Sequence, residues 1–181
     1  IDDEEEIDNS PDRELVLESV IEISGLYLEY STYKKSKDER YKKVFEEMTG
    51  MINPKFALDG CSAPNFTCTV KSLARSMANL AKPVGFSNKR KIAIKRLKES
   101  VLKNPFLIAG KNRLCTQIMK KGAGRVIVKV GAEGVYTAIL LDKGLGIAFK
   151  ICDGSRRAAE CLIVTLLTRL GYFKPDDEDF F

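Results

Sequence analysis

The stretch from Arg125 to Gly154, RVIVKVGAEGVYTAILLDKGLGIAFKICDG, constrains the fold more than any other part of this chain. β-Branched and aromatic residues crowd it, and glycines break it at short intervals. The pattern predicts three strands: Arg125 to Gly131, Gly134 to Leu141 and Leu145 to Cys152. Asp142-Lys143-Gly144 has the chemistry of a hairpin turn between the second and third. Connections this short leave no room for crossover helices, so the strands form an antiparallel meander.

Helical patterns flank this block. Ser10-Pro11-Asp12 reads as a helix start, with a hydroxyl cap and proline at the first helical position, and that helix runs to about Ser24 before Gly25. Ser36 and Glu39 form a capping box; Tyr41, Val44, Phe45 and Met48 then share one face, and Gly50 ends the helix. Val70 to Ala81 is apolar at Val70, Leu73, Ala74, Met77 and Ala81, and Pro83 stops it. Ser87 caps a further helix with Ile94, Leu97 and Val101 inward, ending before Asn104-Pro105. A short helix is expected over Leu114 to Lys120. The last runs from about Ser155 to Leu170, with Gly171 just beyond. Helices precede the meander and one covers it, so the fold class is α+β and not α/β.

The chain has 181 residues, 44% hydrophobic and 30% charged, which suits one globular domain. The net charge of +5 is unevenly spread. Residues 2–18 and 176–179 are acidic, whereas Lys82 to Arg125 is basic. No aromatic lies among the lysines from Lys89 to Lys103, so the basic stretch is expected to be a solvated helix face and not a nucleic-acid platform. No apolar run nears the roughly 20 residues that cross a bilayer. The acidic start is the opposite of a signal peptide, and with no initiator Met the true start is expected upstream. Five cysteines (Cys61, Cys68, Cys115, Cys152 and Cys161) are an odd set, which favours reduced thiols in the cytoplasm. Histidine is absent altogether. Histidine acid/base chemistry and His-containing zinc sites are excluded within these residues.

Two stretches carry possible chemistry. FALDGCSAPNFTC, residues 56–68, crowds a thiol, a hydroxyl and an amide into one turn. Gly60-Cys61-Ser62-Ala63-Pro64 is superficially a nucleophile elbow, but Pro64 replaces the final glycine and no histidine serves as base. Cys61 as an activated thiolate lacks a marked base, and a buried cysteine is commonly a small hydrophobe. The second stretch is VKVGAEGVY, Val128 to Tyr136. Lys129 on a strand two residues before Gly131 resembles the Lys-Thr-Gly motif of serine penicillin-recognising enzymes, with Val130 in place of the hydroxyl residue. Alone, such a triplet carries little specificity.

Taken in order, ALDGCSAPNF, NPFLIAGKNRLCTQIM, VKVGAEGVY and GLGIAFKICDGSRRAAE resemble the successive blocks of the asparaginase II family, the rhizobial type of L-asparaginase. The resemblance spans about Leu26 to Gly171. It divides the chain into an unmatched acidic segment, 1–24, and a family-like region, 25–181. It implies a serine β-lactamase-like fold, hydrolysis of L-asparagine to aspartate and ammonia, a cytoplasmic homodimer, and a serine nucleophile activated by lysine.

The resemblance also sets expectations residue by residue. The family's Ser-x-x-Lys motif lies in its N-terminal part. The string Ser100 to Lys103 sits at a helix end, far from that place, so no catalytic residue is expected in this chain, which is expected to be an inactive fragment. In some members two cysteines matching Cys61 and Cys115 bind zinc with a lysine three residues after the first. Pro64 stands there, so zinc would need water or substrate to complete its shell. Lys129, Gly131, Ala132 and Glu133 are expected to line the substrate side, the lysine for the α-carboxylate and the glutamate for the α-ammonium. The plain alternative for Glu133 is a turn residue. Asp153-Gly154 reads as a turn and Ser155 as a helix cap. The competing function is a non-catalytic relative that binds a small molecule or a protein.

Overall fold

A computed structural model of the protein describes residues 39–58 and 64–174. The helix expected over Ser10 to Ser24, the Ser36 cap and the Cys61-Ser62 pair lie outside the described residues. The elements run α1 (Glu39–Thr49), β1 (Phe56–Leu58), β2 (Pro64–Phe66), α2 (Val70–Ala81), α3 (Asn88–Lys103), α4 (Pro105–Ala109), α5 (Leu114–Lys121), β3 (Val126–Val130), β4 (Val135–Leu140), β5 (Leu145–Lys150) and α6 (Arg156–Arg169). This is the α+β architecture that the residue pattern predicts. No helix among the described residues is long and apolar enough to cross a membrane.

The main sheet has the order β3-β4-β5, antiparallel throughout. Each strand is a residue or two shorter at its ends than expected. The chain instead turns at once: Gly131 N donates to Val135 O at 2.8 Å, and Val135 N to Ala132 O at 3.1 Å. Arg125 still contributes its carbonyl, which accepts from Leu141 N at 2.9 Å.

Register decides which side chains share a face. Val126 pairs with Leu140, Val128 with Ala138 and Val130 with Tyr136; Tyr136 pairs with Phe149 across the other seam. Successive side chains alternate, so Ile127, Lys129, Thr137, Ile139 and Gly146 lie on the opposite face. That second face meets α2. A Cβ at Gly146 would lie 2.2 Å from both Ala74 O and Ala78 N, so only glycine lets the helix backbone come this close. The first face meets α5, and α6 packs near β4.

The buried set follows the predicted periodicities. Val44 and Met48 of α1, Met77 and Leu80 of α2, Ile94, Leu97 and Val101 of α3, and Ile118 and Met119 of α5 join Val126, Ile127, Ile139, Ile163 and Leu167 in one core. Each large aliphatic side chain removed from water contributes about 1.5–3 kcal/mol. The caps at Ser87 and Ser155 are where the sequence puts them, and Thr69 adds one that the residue pattern had not singled out. Thr69 Oγ1 accepts from Ser72 N, Ser87 Oγ from Arg90 N, and Ser155 Oγ from Ala158 N.

Two elements were not expected. The β1–β2 hairpin pairs Phe56 with Phe66, and the Phe66 ring packs 5.1 Å from Phe45 of α1. Two three-residue strands are too short to show a period. The single-turn helix α4 follows Pro105, which is pre-set for a first helical position; it buries no residue, so no apolar stripe marks it.

Gly146→Ala is expected to lower stability by at least about 1–3 kcal/mol, because the new methyl meets helix backbone that has no rotamer to give. Urea denaturation of the two proteins checks this.

Candidate active-site cleft

Two chain reversals meet at one end of the sheet. The first is the β3–β4 turn, residues 131–134. The second is the 151–154 turn between β5 and α6. Ile151 N donates to Gly134 O at 3.0 Å, and Lys150 Nζ donates to the carbonyls of Glu133 and Ile151. A Cβ at Gly134 would sit 2.9 Å from Ile151 Cβ and 3.1 Å from the Gly154 carbonyl carbon, so the stack requires glycine there. Glu133 takes the left-handed conformation, φ 52°, rare for a residue with a side chain. Its carboxylate lies against Gly154, where Oε2 would be 2.7 Å from a methyl at that position.

Beyond this stack, α6 begins. Asp153 Oδ1 accepts from Ser155 N at 2.8 Å, which folds the turn. Ser155 then caps the helix. The first turns of α6 and the start of α5 enclose a cleft of about 760 Å³, lined by Asn112, Leu114, Gln117, Asp153, Arg157 and Cys161 among others. Arg156 and Glu160 also line it. They pair with each other, Nε to Oε1 at 2.8 Å, one helical turn apart.

Behind the cleft wall lies a buried pair. Cys115 Sγ and Tyr136 Oη are 3.0 Å apart, with residue exposures of 2% and 0%. Burial drives the Tyr136 phenol well above its ordinary range. The adjoining Cys115 and the Glu160 carboxylate push the same way, and Arg156 opposes them. The phenol therefore stays protonated in the folded protein when a free tyrosine ionises.

The expected site residues divide in position. Gly131, Ala132 and Glu133 share the turn stacked beside the cleft. Lys129 does not point that way. Its Cβ leaves the sheet on the Thr137 face, opposite Tyr136, and its Nζ donates to Val130 O at 2.9 Å. Thr137 Oγ1 in turn donates to Lys129 O at 3.2 Å. Cys115 is buried behind the cleft, and Cys61 lies outside the described residues. Ser100 and Lys103 are exposed on the last turn of α3.

For zinc, Cys115 offers one thiol already engaged with a phenol. Among the described residues no group of three or more cysteines and carboxylates comes together. The described residues alone do not make a zinc site, and no chemistry is routed through one.

The residue pattern missed several participants. Tyr136 reads as a strand aromatic, and nothing in the spacing ties it to Cys115. Arg156 and Glu160 carry an i,i+4 signal that was legible. Asp153 and Ser155 were legible as turn and cap, but not as cleft wall. A second Ser-x-x-Lys string, Ser31 to Lys34, lies outside the described residues.

Tyr136→Phe is expected to cost about 0.5–1.5 kcal/mol at neutral pH, the worth of one hydrogen bond. The pH dependence has a definite sign. A raised phenol pKa gives stability that is present below about pH 10 and is lost as pH rises beyond it, because the unfolded tyrosine ionises first. Wild type is therefore expected to lose stability above about pH 10 more steeply than Tyr136→Phe. Urea titrations between pH 7 and 11 measure the difference.

No curated protein sequence matches the chain. The family model for L-asparaginase II matches residues 23–180, which covers every described element and both stacked turns. The chain belongs to the L-asparaginase II family.

Proposed function

We propose that the full-length protein is an L-asparagine amidohydrolase, with its serine and lysine outside the described residues, whose substrate enters the cleft beside the 131–134 turn. One observation carries this reading: the turn bearing Ala132 and Glu133 stacks on the 151–154 turn, whose continuation forms the cleft wall. Glu133 suits the α-ammonium of the substrate, and Gly131 and Ala132 complete the β3 side; Lys129, on the other face of the sheet, is left out of it. The same reading sets the described sheet within a serine β-lactamase-like fold, and the protein as a cytoplasmic homodimer.

The reaction is amide hydrolysis. A serine hydroxyl, its proton taken by a lysine, attacks the side-chain carbonyl of asparagine. Ammonia leaves with a returned proton. Water then cleaves the acyl ester to release aspartate and regenerate the serine. The oxyanion of each tetrahedral intermediate needs fixed donors.

A second reading is a non-catalytic relative that keeps the pocket. It is favoured by one feature: among the described residues, no lysine lines the cleft, and Ser155, which does, uses its hydroxyl as a helix cap. Calorimetry and an ammonia assay on the full-length protein, where the resemblance expects the serine and lysine, separate the two. The amidohydrolase reading expects saturable L-asparagine binding, weakened about tenfold by Glu133→Gln, together with ammonia release. Binding without ammonia identifies the non-catalytic relative. No L-asparagine binding at all sinks both.

Zinc on Cys61 and Cys115 belongs to the same reading, and would require Cys115 to give up Tyr136. Purified protein is then expected to carry zinc that is lost in Cys61→Ser and in Cys115→Ser; equal content in all three removes both residues from the ligand set.

A further inference from the structure

The cleft between α5 and α6 has a charge pattern that matches an amino acid at both ends. Arg156 is neutralised by Glu160 at 2.8 Å. Arg157 is different. It lines the same cleft, it is exposed, and among the described residues no carboxylate pairs with it. Asp153, four residues earlier in the chain, lines the same cleft. One of its oxygens is engaged by Ser155 N, which leaves its charge and its second oxygen available. Asn112 and Gln117 supply neutral amides from the α5 side. Outside the Arg156–Glu160 pair, the wall therefore offers one unpaired guanidinium, one carboxylate and two amides.

We infer that Arg157 binds the α-carboxylate of an amino-acid ligand in this cleft, with Asp153 facing its α-ammonium and Asn112 and Gln117 meeting a side-chain amide. A guanidinium matches a carboxylate with two parallel hydrogen bonds, which a lysine ammonium cannot do. Charge matching along the chain gives the carboxylate to Lys129. The fold gives it to α6, because the Lys129 side chain starts on the other face of the sheet and its ammonium is held by Val130 O. Glu133, stacked on Gly154, adds negative charge at the Asp153 end and strengthens the same polarity. The inference rests on the amino-acid specificity proposed above, and it names the residue that would set it.

Calorimetric titration of the 181-residue protein tests it, using L-asparagine, succinamate (which lacks the α-ammonium) and β-alaninamide (which lacks the carboxylate). Arg157 is exposed, so Arg157→Gln is expected to fold, and circular dichroism confirms that. Arg157→Gln should weaken L-asparagine and succinamate at least about tenfold and leave β-alaninamide unchanged. Lys129→Gln should change none of them by more than about twofold. Bound L-asparagine should also slow alkylation of Cys161, which lines the cleft, and this protection should vanish in Arg157→Gln. If Arg157→Gln binds L-asparagine as well as wild type while Lys129→Gln loses it, the inference is overturned and the asparagine reading stands. If succinamate depends on Arg157 but L-asparagine does not bind, the carboxylate site stands and the asparagine reading falls. If none of the three ligands binds, both fall.

Discussion

The contact between α2 and β5 at Gly146 holds the molecule's geometry. Helix backbone and strand backbone meet there with no side chain between them. The close approach presses α2 across Ile139 and Thr137 and flattens one face of the sheet against a helix. The other face is then left for α5 and α6. Those two helices reach the sheet at different strands, and the space between their first turns is the cleft. A bulkier residue at position 146 would lift α2 and tilt the surface that α5 and α6 rest on.

Stacking of the two turns is the second constraint, and it acts locally. Gly134 and Gly154 bring residues 131–134 within hydrogen-bonding reach of residues 151–154. The result couples the β3–β4 connection to the start of α6. Glu133 is held in an unusual backbone conformation by this packing, and that conformation aims its exposed side chain along Gly154 toward the cleft. Such pre-positioning reduces the ordering cost of binding a small charged ligand.

Much of this was legible in the residues. The strands and the Asp142-Lys143-Gly144 turn follow from β-branched runs cut by glycine, because sheet pairing depends on local period and turn chemistry. Helix starts at Ser87 and Ser155 follow from the need to satisfy the first backbone amides. The family blocks led to the correct family. The β1–β2 hairpin and α4 were not legible, since segments of three to five residues hold at most about one and a half periods, too few to establish a pattern. The site was legible only in part. Gly131, Ala132 and Glu133 are contiguous, so their turn could be read directly. The pairing of Cys115 with Tyr136, and the meeting of Asn112 with Arg157 across one cleft, join residues far apart in the chain. No spacing rule carries that information; it arises from how two helices settle on one sheet face. Lys129 illustrates the converse: its neighbour in sequence, Val130, shares a face with Tyr136, and a shift of one residue puts the lysine on the other side.

The position of Lys129 has a consequence of its own. In the described sheet β3 is the outermost strand on its side, buried at its start and half-exposed at Lys129 and Val130. An uncovered strand margin invites the backbone of a stranger to extend it, and this is how ordered aggregates begin. Here the ammonium folds back onto the Val130 carbonyl and sets a hydrated positive charge where a neighbour's chain would have to dock. Among the described residues, the outer side of β3 thus meets its surroundings with a charge instead of a bare carbonyl at Val130, a placement that disfavours pairing with another strand there.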